Sequence, residues 1–207
     1  MTTGKYDRQA EHWSETAYAD ASSYLAHRAD LVVSLGPPLQ RGDAVLDLAC
    51  GDGGLADYLP DLCYSGLDAS PEMVRAAHQR GRRHVSLGDL NDYEPPQDVA
   101  ATTCFRAIYY AQDRPSFFRR VAGYTNRKFV FDLNPRQYRV DDVRADLHAA
   151  GFDQFELRPF FSPQRFALPR PLASALAALE RSGPPARLLL AVRFSYLCAA
   201  FRGDKNT

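Results

Sequence analysis

The stretch AVLDLACGDGGLA, residues 44–56, decides the fold of this 207-residue chain. It begins with a short apolar run of the kind that forms a buried strand. The run ends at a loop that contains Gly51, Gly53 and Gly54, residues that tolerate backbone conformations closed to other amino acids. A buried strand that enters a glycine-rich turn is typical of the first unit of an α/β sheet.

The rest of the chain repeats this alternation of short strands with helices. Ser70-Pro71, for example, is a sound helix start, because serine caps the first turn and proline suits the first helical position. The strands are predicted at 44–49, 63–68, 84–89, 98–104, 128–133, 153–160 and 191–201, and the helices at 21–35, 71–81, 115–122 closed by Gly123, 140–150 and from Pro171. The pattern predicts an α/β fold with a doubly wound, mostly parallel seven-stranded sheet and helices on both faces. Ligands of such sheets bind beyond the carboxyl ends of the strands.

Composition and charge exclude several classes of protein. The 25 basic residues balance the 25 acidic ones, which argues against a nucleic-acid-binding surface. The four cysteines form no C-x-x-C pair, so a zinc site is not expected. No metal is assigned, although Asp132 and Asn134 after the fifth strand leave a trace of a metal-dependent type. No apolar run is long enough to span a bilayer, and the first residues do not resemble a signal peptide. A cytoplasmic location is therefore expected.

The loop after the first strand leaves two classes of ligand open. Residues 51–56 fit G-x-G-x-x-A, the dinucleotide fingerprint, and an acid, Asp68, ends the next strand, so a nicotinamide or flavin site fits the pattern. A pyrophosphate, however, prefers a helix N-terminus free of nearby anions. The carboxylates of Asp47 and Asp52 would repel it and would suit a ligand that carries positive groups and no phosphate.

At these residues the sequence resembles the class I (Rossmann-like) S-adenosylmethionine-dependent methyltransferases of the small-molecule type. Asp47, Gly51 and Gly53 match the family's first motif, with Ala49 and Cys50 at commonly seen alternatives. The resemblance implies that Asp47 faces the methionine ammonium group of S-adenosyl-L-methionine. It also implies that the glycines let the backbone approach this cofactor, whose product is S-adenosyl-L-homocysteine.

The resemblance continues along the chain in register, because Asp47, Asp68 and Asp89 follow one another at intervals of 21 residues. It implies that Asp68 accepts both ribose hydroxyls and that Asp89 takes the adenine amino group. The other implied cofactor contacts are Ala69 beside Asp68, Met73 near the adenine, the backbone N–H of Leu90, and Cys104 alongside the methionine moiety.

The N-terminal segment resembles the leader that related methyltransferases fold over the cofactor. Tyr6 and Trp13 would then cover the ligand, and His12 is a candidate catalytic residue. Arg106, Tyr109 and Tyr110 follow the fourth strand, where substrate walls are built, and are further candidates for catalysis. His27 is expected at the surface, and Arg80 and Arg82 at a solvated helix end. Because no general base stands out, O- or N-methylation is favoured over C-methylation without a choice between them.

The expected organisation is a single methyltransferase domain over residues 1–207. Residues 1–40 form the leader or lid and a helix, 41–160 the cofactor-binding core, and 161–207 a C-terminal helix and the final strand. The expected partner is a small-molecule acceptor. An apolar stripe of Leu172, Leu176 and Leu179 predicts either an apolar acceptor or a homodimer contact at this helix. Two other functions stay open: an NAD-dependent oxidoreductase and a non-catalytic cofactor-binding partner subunit.

Overall fold

Seven strands form one sheet in the order β3-β2-β1-β4-β5-β7-β6 in a computed structural model that describes residues 19–160, 169–180, 182 and 195–203. The strands are β1 Ala44–Leu48, β2 Cys63–Asp68, β3 Val85–Leu87, β4 Val99–Cys104, β5 Thr125–Leu133, β6 Gln154–Phe160 and β7 Ser195–Phe201. All the strand pairs from β3 to β5 are parallel, and β7 runs antiparallel between β5 and β6. The predicted mostly parallel, seven-stranded Rossmann-like sheet is confirmed.

Five α-helices connect or flank the strands within the described residues. They are α1 Ala21–Ser34, α2 Pro71–Gln79, α3 Arg114–Tyr124, α4 Val140–Ala149 and α5 Arg170–Glu180. Ser70 caps α2, since its hydroxyl accepts a hydrogen bond from the backbone N–H of Met73 at 3.3 Å. Asp20 and Asp113 cap α1 and α3 in the same way, which explains where these helices begin. None of the described helices has the length and hydrophobicity that crossing a bilayer requires.

The two faces of the sheet carry separate hydrophobic cores, as the alternation of side chains along each strand requires. Leu46, Phe129 and Phe131 face one core, which packs against Phe117 and Phe118 of α3. The core on the opposite face includes Val45 and Val130 of the sheet. It also includes Leu25 and Val32 of α1 and Leu35, which follows this helix. Helices therefore cover both faces, as predicted.

One local expectation was wrong and another falls partly outside the described residues. Gly123 does not close its helix, because α3 runs through it to Tyr124 and passes directly into β5 at Thr125, whose φ of −102° is open to any residue. The final strand begins at Ser195, and the predicted residues 191–194 lie outside the described part of the chain.

Buried charges hold α1 and α5 in place. The ammonium group of Lys128 donates to the carbonyl oxygens of Leu35 at 2.7 Å and Val33 at 3.0 Å, and so satisfies the last carbonyls of α1. The pKa of Lys128 falls to about 8, mainly because burial penalises its charge. His27 is not a surface residue: its ring stacks on Phe160 and its Nε2 lies 2.6 Å from a carboxylate oxygen of Glu180 in α5.

Candidate functional site

The loop after β1 is built from left-handed backbone. Ala49, Gly51 and Gly53 have φ angles of 58°, 59° and 70°. This conformation is free of strain for glycine but costs about 1–2 kcal/mol at a residue with a Cβ such as Ala49. Strain of this kind is concentrated at ligand sites, where the surrounding structure imposes it. The loop leads into a 3₁₀ helix over Gly54–Tyr58.

Asp68, at the end of β2, ties this loop to the neighbouring strand. Its carboxylate accepts hydrogen bonds from the backbone N–H of Gly51 at 2.8 Å and of Ser70 at 2.9 Å. Burial raises the pKa of Asp68, although these backbone donors oppose the rise. The half-buried carboxylate is thus fixed in direction, with the glycine loop on one side and the start of α2 on the other.

Asp47 is a buried carboxylate on β1. It accepts hydrogen bonds from Thr103 Oγ1 at 2.6 Å and from the Tyr64 hydroxyl at 2.9 Å. Burial raises its pKa to about 6, while both donors and the positive charge of Arg28 act to lower it. Asp47 is therefore mainly ionised at neutral pH at a cost to the folded protein, which is the condition of a group held ready for a cation.

Arg28 of α1 supplies buried positive charge near the ends of the central strands. Its guanidinium carbon lies 4.3 Å from the ring centre of Phe105 and 4.6 Å from that of Tyr24, and Nη2 donates to the Tyr24 hydroxyl at 2.5 Å. Burial raises the pKa values of both Asp47 and Asp132, and the charge of Arg28 opposes that rise. The importance of this residue could not be predicted from the sequence, because an arginine in a surface helix is ordinarily solvated.

Asp52 is a turn residue whose charge is offset by an arginine, so it weighs less against a pyrophosphate than its charge alone implies. Its buried carboxylate accepts from the backbone N–H of Gly54 at 3.3 Å, and Arg80 Nη1 lies 3.6 Å from its other oxygen. Arg80 and Arg82 also form ion pairs with Asp57, so they are not the solvated helix end expected. Because Arg80 compensates the charge of Asp52, the argument against a pyrophosphate rests on Asp47 alone.

Asp89 and Asn91, after β3, connect with the segment after β4. Asp89 Oδ1 accepts from the backbone N–H of Asn91 at 2.9 Å and from Asn91 Nδ2 at 2.7 Å. The same Nδ2 donates to the carbonyl oxygen of Tyr110 at 3.2 Å, and Asn91 Oδ1 accepts from the backbone N–H of Gln112 at 2.9 Å. Sequence reasoning identified Asp89 and missed Asn91, whose residue type is common in any turn.

The segment after β4 begins with a strained residue. Arg106 has a φ of 55°, and its backbone N–H donates to Asp132 Oδ1 on the adjacent strand β5 at 2.6 Å. A 3₁₀ helix over Ile108–Tyr110 follows, in which the Tyr109 side chain is 43% exposed and the Tyr110 ring lies 4.4 Å from it. Arg106, Tyr109 and Tyr110 therefore lie beyond the carboxyl ends of β4 and β5, where an acceptor would be expected.

The other predicted contacts differ in how they could meet a ligand. Met73 and Leu90 are buried, and Ala69 is exposed. The Cys104 side chain is fully buried in the core on the face opposite Asp47, so only its main chain could reach a ligand. Tyr6, His12 and Trp13 lie outside the described residues. Within the described residues, no group of three or more His, Cys, Asp or Glu side chains could hold a metal ion.

The strand order, the antiparallel β7 and the glycine loop at the end of β1 define the Rossmann-like fold of class I methyltransferases. Residues 45–128 match the family described as "Methyltransferase domain". The resemblance to class I S-adenosylmethionine-dependent methyltransferases seen in the sequence is thereby confirmed for the segment that carries the motifs.

Known proteins similar to this chain agree with that class. A trans-aconitate 2-methyltransferase of Mycobacterium tuberculosis is 36% identical over 112 residues, which are 49% of this chain and 42% of that protein. The match thus spans less than half the length of the relative. A putative methyltransferase solved in complex with the Haloferax volcanii Trm112 methyltransferase activator gives a TM-score of 0.69 at 19% identity, with full coverage of both chains. Magnesium protoporphyrin IX methyltransferase from Synechocystis, solved with bound SAM, gives 0.63 at 17% identity over 98% of this chain and 92% of that one.

Proposed function

We propose that this chain transfers a methyl group from S-adenosyl-L-methionine to a small-molecule acceptor and releases S-adenosyl-L-homocysteine. The observation that carries the proposal is the arrangement at the ends of β1 and β2. There the left-handed loop of Ala49, Gly51 and Gly53 lies between the buried Asp47 and the hydrogen-bonded Asp68. This combination offers close backbone approach and two fixed negative charges, which suit a ligand that has hydroxyls and positive groups.

The residues present fit this cofactor. Asp68 would accept the ribose hydroxyls, Asp89 the adenine amino group, and Asp47 would face the ammonium group. Met73 and the backbone of Leu90 would line the adenine, while Ala69 and the main chain of Cys104 would complete the site. When bound, S-adenosylmethionine supplies an electrophilic methyl group on a sulfonium.

The protein's own contribution to such a transfer is orientation and exclusion of water. Asp47 holds its direction through Thr103 and Tyr64, and Asp68 through the backbone of Gly51 and Ser70. Both carboxylates are therefore fixed before a ligand arrives, so little ordering is left for the binding step. Tyr6 and Trp13 of the leader are proposed to close over the sulfonium, where aromatic rings would stabilise its charge.

A small carboxylic acid is the acceptor class that the site favours, with O-methylation as the reaction. Burial raises the pKa of Asp132, and the guanidinium groups of Arg28 and Arg106 both oppose the rise, so two positive charges lie near this carboxylate at the ends of β4 and β5. A carboxylate is already ionised at neutral pH and needs no general base, in keeping with the lack of a clear one in the sequence. The relatives named as trans-aconitate 2-methyltransferases support an organic acid as acceptor.

An apolar acceptor is the competing proposal. Leu172 of α5 is 47% exposed, and Leu176 and Leu179 are half-buried on the same helix. The C-terminal end of α5 is held to α1 through Glu180 and His27, and α1 is the helix that carries Arg28. A homodimer contact at this stripe remains a prediction.

An activity assay on a panel of acceptors tests the proposal. S-Adenosylhomocysteine formation would be measured with small di- and tricarboxylic acids, apolar phenols and amines. We expect turnover on the acids, and an at least tenfold loss of cofactor affinity in Asp68→Ala. Asp61→Ala, which removes an exposed acid, is the matched control and should be neutral. Turnover only on phenols would favour the apolar acceptor, and cofactor binding without turnover on any acceptor would favour the non-catalytic partner subunit.

We further propose that residues 1–207 act as one domain in the cytoplasm, with 1–40 as lid and helix, 41–160 as cofactor core and 161–207 as the C-terminal part. Because Arg80 compensates the charge of Asp52, that charge argues less strongly against the alternative of an NAD-dependent oxidoreductase. Direct titration with NAD therefore belongs in the test of the cofactor.

A further inference from the structure

Residues 106–112, here called the acceptor segment, are fastened at both ends by side chains from neighbouring strand ends. Asp132 accepts the backbone N–H of Arg106 at the start, and Asn91 holds Tyr110 and Gln112 at the end. A segment tied at both ends changes its position only when one of these side chains changes too. Of these two side chains, Asn91 also contacts Asp89, which is predicted to bind the cofactor.

Asn91 uses its whole amide group in this connection. Nδ2 donates both to Asp89 Oδ1 at 2.7 Å and to the Tyr110 carbonyl at 3.2 Å, and Oδ1 accepts the Gln112 N–H at 2.9 Å. The side chain is 8% exposed, so water competes little for these hydrogen bonds. The orientation of the Asp89 carboxylate and the position of the acceptor segment are therefore coupled through one planar group.

We infer that Asn91 is a positioning residue that couples cofactor binding at Asp89 to the ordering of the acceptor segment. The inference rests on the proposed function. Both hydrogen bonds from Asn91 fall on Asp89 Oδ1, so Oδ2 is the oxygen that we assign to an amino group of the ligand. A ligand on Oδ2 fixes the carboxylate, the carboxylate fixes the Asn91 amide, and the amide fixes Tyr110 and Gln112. Bound cofactor thereby strengthens the hydrogen bonds that hold the wall an acceptor meets.

Hydrogen exchange of the Gln112 amide reports on this coupling without any knowledge of the acceptor. In the full chain, saturating S-adenosylhomocysteine should slow exchange at Gln112 at least about threefold, since the ligand would strengthen the hydrogen bond from this amide to Asn91 Oδ1. In Asn91→Ala, S-adenosylhomocysteine should still bind, with a Kd raised about threefold to tenfold. The slowing at Gln112 should disappear at saturation.

Two further variants make the result specific. Asp92→Asn changes an exposed neighbour in the same turn and should retain both the Kd and the protection of Gln112. Asn91→Asp keeps an acceptor for Gln112 but cannot donate to Asp89 or Tyr110, so it should lose the ligand-dependent slowing even if Asn91→Ala folds poorly. A purely structural role would speed exchange in these variants yet leave the effect of the ligand unchanged, which would overturn the inference. Failure of the unsubstituted protein to bind S-adenosylhomocysteine would instead contradict the proposed function.

Discussion

Replacing Asp47 by Asn should stabilise the folded protein while weakening the binding of S-adenosylmethionine. The Asp47 carboxyl is buried on β1, and burial raises its pKa from 3.8 to about 6. Asparagine has nearly the same shape and removes the charge. Its oxygen can accept from Thr103 Oγ1, and its amide can donate to the Tyr64 oxygen, so both neighbours keep a partner.

The size of the effect follows from the difference between the folded and unfolded pKa values. A rise from 3.8 to about 6 makes ionisation of the folded protein cost about 3 kcal/mol more than ionisation of the unfolded chain. The stability that the protonated Asp47 carboxyl contributes is therefore fully present below pH 3.8 and is lost as the pH rises through about 6. In the variant, the buried charge of Arg28 is no longer compensated by that of Asp47, which offsets part of this effect. We therefore expect the free energy of unfolding to rise by about 1 to 3 kcal/mol at pH 7.

Urea unfolding of the wild type and Asp47→Asn at several pH values between 4 and 7 measures this effect. The two proteins should differ little near pH 4 and progressively more toward pH 7, with the variant the more stable one. Asp61→Asn, at an exposed acid, should show no such divergence. At pH 7 the affinity of Asp47→Asn for S-adenosylmethionine should fall at least about tenfold, through loss of a charged contact. A variant that is less stable than the wild type at pH 7, or a difference independent of pH, would refute this account of Asp47.

Three other perturbations have defined outcomes. Asp132→Ala should lower the free energy of unfolding by about 1–3 kcal/mol in chemical denaturation, because it leaves the Arg106 N–H unpaired. The stability of the wild type relative to Lys128→Met should rise by up to about 3 kcal/mol between pH 8 and pH 10, because the folded protein binds the lysine proton less tightly than the unfolded chain does. Gly66→Ala should cost about 1–3 kcal/mol, since its Cβ would lie 2.7 Å from Cys50 Sγ, and a Cys50→Ala background should reduce that cost in a double-mutant cycle.

The order of strands and helices could be predicted from the sequence because each element is locally consistent. Apolar runs, a Ser-Pro helix start and glycines in left-handed turns such as Gly81 and Gly151 mark the boundaries one by one. Gly123 misled the prediction for the same reason, since a glycine near a helix end is only a local signal. The structure shows that the chain passes from α3 into β5 without a glycine at the junction.

The charged part of the candidate site could be predicted only where the residue lies at a strand end. Asp47, Asp68 and Asp89 occupy such positions, and the sheet alone brings them to one edge. Arg28 and Asn91 could not be identified, because the partners that give them their roles lie far away in the sequence.

 Asn91 meets Tyr110 across 19 residues of chain, and Asp132 meets Arg106 across 26, so only the folded sheet brings these groups together.

The left-handed conformations of Ala49 and Arg106 were equally hidden from the sequence. Neither residue type favours a positive φ, and both adopt it because neighbouring strands impose it: Gly51 is held by Asp68, and the Arg106 N–H by Asp132. Local propensity therefore fails at the two turns where the candidate site is built, as it does at strained functional positions in general.

Calorimetric titration of the full chain with S-adenosylmethionine, S-adenosylhomocysteine and NAD tests the central claim most directly. We predict binding of the first two, a strong loss of that binding in Asp68→Ala, retention in Asp61→Ala, and no binding of NAD. Binding of NAD alone, or cofactor binding that Asp68→Ala leaves unchanged, would contradict the assignment of the site at the ends of β1 and β2.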